Sequence, residues 1–315
     1  MKKKENIAAW RTTSFTRNTD LEVLLSDINS TLWLSEKKLL GDQGAAQYPL
    51  ILVMGPMRSG TTLLMQWLAA TGLVAYPTNL LSRFYHAPII GAKIQCLLTD
   101  PRYNFRDELG EFIQQSEFKS ENGKTKGVLA PNEFWYFWRR FLSNSRRDVW
   151  SNEELRQSMD TATLKSELSG IMNVFQKPFA AKGMLFNYNI DFLNSIFDKI
   201  LFVHLKRDLA TNATSVLAAR KRQLGSENEW YSFDIPEKEE LMKLPPFEQV
   251  VNQIQAINKA VEIGLRGVDE SRKLIVEYED FCQSPEKYFK ELIRKVGLVD
   301  AAYLGPDKFD IQRSD

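Results

Sequence analysis

The sequence predicts an α/β protein, with a parallel β-sheet held between two layers of helices. Three observations carry this. Short apolar runs alternate with longer stretches of helical periodicity, which is the pattern of strands joined by helical crossovers. One run, "PLILVMG" (49–55), is apolar throughout, as a strand buried on both faces must be. It leads through the glycine-bounded turn "GPMRSG" directly into a helical pattern.

The elements follow in order. Leu21, Leu24, Leu25, Ile28 and Leu32 recur at helical spacing, so a helix is expected over 19–40, ended by Gly41. "GDQGAAQ" is a loop, "PLILVMG" the first strand, and "TTLLMQWLAATGL" a helix starting at Thr61 or Thr62. Further strands are expected at 177–186, 199–206 and 272–279, and helices at 132–142, 152–175, 190–197, 209–224, 247–266 and 285–296. The tail after Leu298 reads as loop. The chain is expected to form a single domain over 1–315, with an N-terminal helical segment at 1–46 and a helical insertion at 106–176.

Bulk composition narrows the function classes. Hydrophobic residues make up 43% and charged residues 26% of the 315, which permits a large core. A formal net charge of +1 argues against a general nucleic-acid binder, which needs a basic excess. Two cysteines, Cys96 and Cys282, cannot build a disulfide framework and point to a reducing compartment. The start "MKKKENIAAWRTTSF" is basic but lacks the apolar core of a signal peptide. No run reaches the ~18 apolar residues of a membrane helix, so a soluble protein without a membrane span is expected.

The chemistry concentrates in "GPMRSGTT". Gly55 and Gly60 stand at the spacing of a phosphate-binding loop, but Thr61 occupies the place of its lysine. Successive backbone N–H groups and the following helix N-terminus still converge on an anion. In nucleotide triphosphatases the lysine reaches the β- and γ-phosphates and the next hydroxyl holds Mg²⁺. Without it, Arg58 supplies a forked donor instead. Such a loop suits one compact anion better than a metal-bridged triphosphate. The plainer alternative is a strand–turn–helix with a glycine-rich turn.

"GPMRSGTT" resembles the 5′-phosphosulfate loop of the sulfotransferase superfamily, whose donor is 3′-phosphoadenosine 5′-phosphosulfate. The resemblance implies a fold like that of the P-loop nucleotide triphosphatases, no metal, and a donor gripped by Arg58, Ser59, Gly60, Thr61 and Thr62. A second motif supports it: "ILFVHLKRDLATNATSVLAAR" places Arg207 at a strand end, Asp208 after it and Ser215 eight residues beyond Arg207. Asp208 is a good N-cap, and Ser215 lies roughly 10 Å along the helix. In the family, matching residues hold the 3′-phosphate. Leu209 replaces the family's usual proline. A third stretch, "LIVEYEDFCQSPEKYFKELIRKVGL", is similar to the family's C-terminal strand and helix, with Tyr278, Glu279 and Asp280 read as structural.

Sulfuryl transfer needs a base for the acceptor and positive charge for the leaving phosphate. Lys182 stands on a strand where the family often carries lysine, but Gly-Met follows it here rather than the commoner Asp-Pro or Asn-Pro. The base is open among Glu133, His86 and His204. Glu133, in "LAPNEFWYFWRRFL", is preferred because Phe134, Trp135, Tyr136 and Trp138 are expected to form a pocket that raises its pKa. The alternative is an acid that merely favours a helix's first turn. His204 sits mid-strand, as a core histidine would. "RKRQLGSENEWYS" (220–232) reads as a lid or acceptor-facing loop whose basic start touches an anion, or as a solvated helix end. The expected reaction moves a sulfuryl group to a hydroxyl of a small molecule or glycan, possibilities weighed against a P-loop kinase or hydrolase and against a non-catalytic nucleotide-binding protein. Golgi members of the family carry an anchor; without one, a bacterial cytoplasmic enzyme is expected. Acceptor and oligomeric state stay open.

Overall fold

The computed structural model describes residues 18–41, 44, 46–106, 108, 120–121, 124–142, 149–298 and 301–311. The N-terminal "MKKK" segment and parts of the 106–176 stretch therefore lie outside the described residues.

In chain order the elements are α1 (Thr19–Leu40), β1 (Leu50–Met54), α2 (Thr61–Ala70), α3 (Pro88–Thr99), β2 (Ser120–Glu121), β3 (Lys124–Thr125), α4 (Trp135–Arg140), α5 (Asn152–Ser158), α6 (Thr161–Phe175), β4 (Phe179–Lys182), α7 (Ile190–Ile196), β5 (Ile200–Lys206), α8 (Leu209–Leu224), α9 (Lys238–Leu241), α10 (Pro246–Leu265), β6 (Lys273–Glu277), α11 (Tyr278–Gln283) and α12 (Pro285–Val296). The main sheet has the order β4–β1–β5–β6, and every neighbouring pair is parallel. Strand alternation splits the core into two layers. Leu50, Leu52, Phe179, Ala181 and Phe202 face a layer that includes Leu168 of α6, Phe192 of α7, Val216 of α8 and Ile254 of α10. Ile51, Val53, Ala180, Leu201 and Val203 face Leu64 and Trp67 of α2, Phe281 of α11 and Phe289 of α12. Each fully buried apolar side chain contributes about 1.5–3 kcal/mol.

Several expectations change. The strand expected over 177–186 ends at Lys182, and a 3₁₀ turn (Met184–Phe186) follows. At Gly183 the chain presses on β1; a Cβ there would meet Met54 Sδ at 2.7 Å. The strand expected to reach Glu279 also stops early, because Tyr278 opens α11. The helix expected over 152–175 is two helices: Met159 is extended and Asp160 caps α6 by accepting from Thr163 N. Gly41 closes α1 in the right-handed rather than the left-handed region, at φ −66°. Helix α3 was not among the expected elements; Pro88 opens it, but Ala87 before it offers no side-chain cap. Its N-terminal amides are satisfied from a distance: Glu36 of α1, fully buried, accepts from Ile89 N and Ile90 N. The 106–176 stretch is not wholly helical, since β2 and β3 pair antiparallel, and α6 packs into the sheet core. Among the described residues no helix is long and apolar enough to cross a membrane.

All four parallel strands end on the same side, and four of the residues singled out lie at those ends. The loop of Gly55 follows β1, Lys182 closes β4, Arg207 follows β5 and Tyr278 follows β6. Ligands of open α/β sheets bind at this edge.

Candidate functional site

The loop after β1 is built from strained backbone. Gly55 has φ 132° and Gly60 φ 100°, and Arg58 itself is left-handed at φ 61°. Neither glycine can be replaced without a clash: a Cβ on Gly55 would lie 2.6 Å from Leu205 O, and one on Gly60 would lie 2.3 Å from Tyr278 Cδ2. Two buried asparagines hold the loop from outside. Asn187 pairs with Gly55 through both its N–H (3.0 Å) and its carbonyl (2.9 Å), and Asn212 Nδ2 donates to Met57 O at 2.9 Å. A non-glycine residue in this region costs about 1–3 kcal/mol, which the bonds on either side of Arg58 offset.

The two sequence motifs meet here. Arg58 Nε donates to Ser215 Oγ at 3.3 Å. Arg207 Nη1 donates to Arg58 O at 2.9 Å, and its guanidinium lies 4.7 Å over the Tyr278 ring. Asp208 caps α8 as expected, accepting from Thr211 N. Glu279 accepts from Asp208 N, and Asp280 from Lys287 and Tyr288, so the Tyr278–Asp280 segment braces the site. Burial lowers the Arg58 pKa; the charges of Arg207 and Arg222 also lower it, while Tyr231 and Glu133 act the other way. Arg58 and Arg207 thus stand side by side, an arrangement that an anion would favour.

Lys182 Nζ, 6% exposed, donates to Glu133 Oε1 at 2.9 Å and to Thr62 Oγ1 at 3.0 Å. Trp135 Nε1 donates to the other carboxylate oxygen. The pKa of Glu133 is therefore not raised, as the sequence suggested, but lowered. Burial works to raise it, and Lys182, the Trp135 hydrogen bond and Arg58 together outweigh burial. The expected aromatic pocket does not form because its members diverge. Phe134 and Trp138 are buried in the core, Tyr136 is exposed and stacks on Tyr85, and only Trp135 reaches the carboxylate. Glu133 is also not in a first helical turn, since α4 begins at Trp135 with Phe134 left-handed at φ 59°.

The other loop hydroxyls are committed. Ser59 Oγ donates to Pro56 O at 2.8 Å and is fully buried, so its side chain shapes the loop from within. Thr61 Oγ1 lies 4.0 Å from Met184 Sδ and is 5% exposed.

Both histidines lie elsewhere. His204 is fully buried and donates through Nε2 to Asn258 of α10 at 3.1 Å; burial lowers its pKa to about 4. His86 packs against Trp33 and Tyr85 beside α1, where burial and Arg140 lower its pKa. Arg220, expected at an anion, is instead fully buried and bonded to neutral oxygens. Arg222, exposed on α8 and two turns beyond Ser215, is the basic residue of that loop that acts on Arg58.

A family model described as "Sulfotransferase family" matches residues 49–301. The chain belongs to the sulfotransferase family. The sulfotransferase STF9 from Mycobacterium avium superposes with a TM-score of 0.58 at 15% identity, covering 93% of this chain and 75% of that one. The sulfotransferase STF1 from Mycobacterium tuberculosis H37Rv superposes with a TM-score of 0.53 at 14% identity, covering 88% and 73%. At these identities the superpositions show a shared fold. No curated protein matches the sequence.

Sequence reasoning missed the parts of this sulfotransferase site that have no motif. Asn187 and Asn212 hold the loop across long stretches of chain. Trp135 was expected beside Glu133, but as an apolar wall rather than as the donor to its carboxylate.

Proposed function

We propose that this sulfotransferase moves a sulfuryl group from 3′-phosphoadenosine 5′-phosphosulfate to a hydroxyl acceptor. The observation that carries this is the Arg58 Nε–Ser215 Oγ contact at 3.3 Å, which joins the phosphate loop to the Arg207 motif at the edge where the parallel strands end. This arrangement fits such a donor chemically. Arg58, the loop N–H groups of Ser59 to Thr62 and the N-terminus of α2 suit a phosphosulfate, and Arg207 with Ser215 suits a second phosphate. Among the described residues, no three His, Cys, Asp or Glu side chains are grouped to hold a metal; the cations of the chain itself offer the charge that a metal would bring.

When bound, the donor supplies the sulfuryl group, whose sulfur–oxygen bond to the adenosine phosphate breaks as the acceptor oxygen attacks sulfur. Glu133 takes the proton of the attacking hydroxyl. Lys182 and Arg58 offset the negative charge that develops on the leaving phosphate. Lys182 has a second effect. It keeps Glu133 ionised but weakly basic, so an anion beside Lys182 returns basicity to the carboxylate at the moment a base is needed.

The acceptor is a small molecule, with saccharides the class we favour. Exposed Tyr136, stacked on Tyr85, offers an aromatic platform close to Glu133 in the chain, and aromatic faces suit sugar rings. The two cysteines are buried and unpaired, which agrees with a reducing, cytoplasmic setting; the likeness to mycobacterial folds fits a bacterial enzyme.

The test is calorimetry followed by transfer. Adenosine 3′,5′-bisphosphate should bind without Mg²⁺ while ATP does not, and labelled sulfate should pass from the donor to members of an acceptor panel. Arg58→Ala and Arg207→Ala should abolish both. Tight Mg²⁺-dependent ATP binding would instead favour a kinase or hydrolase, and bisphosphate binding without transfer a non-catalytic protein.

A further inference from the structure

The Tyr278 ring touches both sequence motifs at once. On one side it meets the phosphate loop: a Cβ on Gly60 would lie 2.3 Å from its Cδ2 and 2.4 Å from its Cε2, so one ring edge rests directly on the bare Gly60 backbone. On the other side the Arg207 guanidinium lies 4.7 Å over the ring centroid. The side chain is 2% exposed, and it stands between the end of β6 and the start of α11.

The residues on either side keep the ring in place. Glu277 N donates to the Tyr288 hydroxyl at 3.4 Å, and that hydroxyl donates to the Asp280 carboxylate at 2.8 Å. Lys287 Nζ donates to the same carboxylate oxygen at 2.5 Å. Glu279 accepts from Asp208 N at 3.2 Å, next to Arg207 itself. The ring is therefore anchored to α12 and to the end of β5 together.

A ring face attracts a guanidinium but carries no net charge. It orients Arg207 without neutralising it, as a carboxylate would. Arg58 O fixes Nη1 of the same guanidinium at 2.9 Å, and Arg58 Nε donates to Ser215 Oγ at 3.3 Å. The spacing between the loop and the Arg207–Ser215 pair is thus set before a ligand arrives, and an arginine held in advance loses less freedom on meeting an anion. We propose that Tyr278 is the positioning residue that makes the protein prefer a nucleotide phosphorylated at both the 3′ and 5′ positions over its 5′-monophosphate. This rests on the donor reading, in which the loop takes the 5′ group and Arg207 the 3′-phosphate. The preference then depends on a residue that touches Arg207 and the loop rather than either phosphate.

The probes are adenosine 3′,5′-bisphosphate and adenosine 5′-monophosphate, titrated calorimetrically without Mg²⁺ and read as the ratio of their affinities. Wild type should favour the bisphosphate by about tenfold or more, the scale of hydrogen bonds to a charged group. Tyr278→Met, which fills the space without offering a ring face, should lower that ratio by about fivefold, with monophosphate affinity within about twofold. Tyr278→Phe keeps the face and should keep the ratio within about twofold. In an Arg207→Ala background, Tyr278→Met should lower the ratio no further, since both act through one guanidinium. Equal weakening of both nucleotides in Tyr278→Met would make the ring a support of the loop alone and overturn the inference, as would an unchanged ratio. A ratio lost in Tyr278→Phe would also overturn it, and that variant decides the matter if Tyr278→Met does not fold. A wild type that shows no preference for the bisphosphate would instead overturn the donor reading, and this inference with it.

Discussion

Lys182 Nζ stands 2.9 Å from Glu133 Oε1 and 3.0 Å from Thr62 Oγ1. One ammonium thereby ties the end of β4, the segment ahead of α4 and the first turn of α2 into a single unit. The same unit sets the proton affinity of the proposed base.

Glu133→Gln should reduce transfer by about 10²–10⁴-fold, the range for general-base catalysis, with bisphosphate binding intact. It also leaves the Lys182 ammonium without its carboxylate. The expected loss of stability at neutral pH is about 1 kcal/mol, below the buried-pair value because the Glu133 side chain is 39% exposed. The sign with pH follows from the lowered pKa. The stabilisation is fully present above the ordinary glutamate value of 4.5 and is lost progressively as pH falls below it through the lowered folded-state value. Urea unfolding of wild type and variant at pH 7 and pH 4 should show the gap closing on the acid side.

His204 should make the protein less stable in mild acid without touching catalysis. Its folded pKa is about 4 against 6.5 for the free group, so between these values the unfolded chain binds the proton and the folded one does not. Stability then falls by up to ~1.4 kcal/mol per pH unit as pH drops from 6.5 towards 4. The difference in unfolding free energy between wild type and His204→Asn, followed from pH 7 to pH 5, isolates this contribution. The acid limb of the transfer rate should keep its midpoint in His204→Asn.

Gly60→Ala should damage the phosphate loop directly. The new Cβ would meet the Tyr278 ring at 2.3 Å, at a φ of 100° that side chains rarely adopt. Backbone strain of this kind costs about 1–3 kcal/mol. Because Tyr278 also carries the Arg207 guanidinium, its displacement should weaken bisphosphate binding as well. Thermal unfolding and calorimetry on the same sample read both effects.

Arg207→Lys should fail to rescue Arg207→Ala. The charge is kept, but the Nη1 bond to Arg58 O and the stack on Tyr278 are lost. A hydrogen-bonded, ring-stacked guanidinium is not replaceable by a point charge, so bisphosphate affinity should fall by about tenfold or more. Unchanged affinity would place the second phosphate elsewhere.

Much of this site was legible in one dimension. "GPMRSGTT" announces itself because glycine at positive φ and an arginine inside the turn are local demands. Arg207, Asp208 and Ser215 were readable because a strand end and a helix face set their spacing. Glu133 and Lys182 were readable as candidates but not as partners, since nothing in their neighbourhoods specifies a contact between β4 and the approach to α4. The aromatic cluster misled for the same reason. Phe134 turns left-handed ahead of α4, and that turn sends Phe134 and Trp138 inward and leaves Trp135 alone at the carboxylate.

The alternation of strands and helices, the phosphate loop and the family's second motif were written in the chain, because each depends on residues close together in it. The break at Met159, the remote capping of α3 by Glu36, the lowered pKa of Glu133 and the burial of Arg220 arise only on folding. These depend on which groups the fold brings within about 3 Å in a shielded interior, where electrostatics and hydrogen bonding are strongest and where sequence distance carries no information.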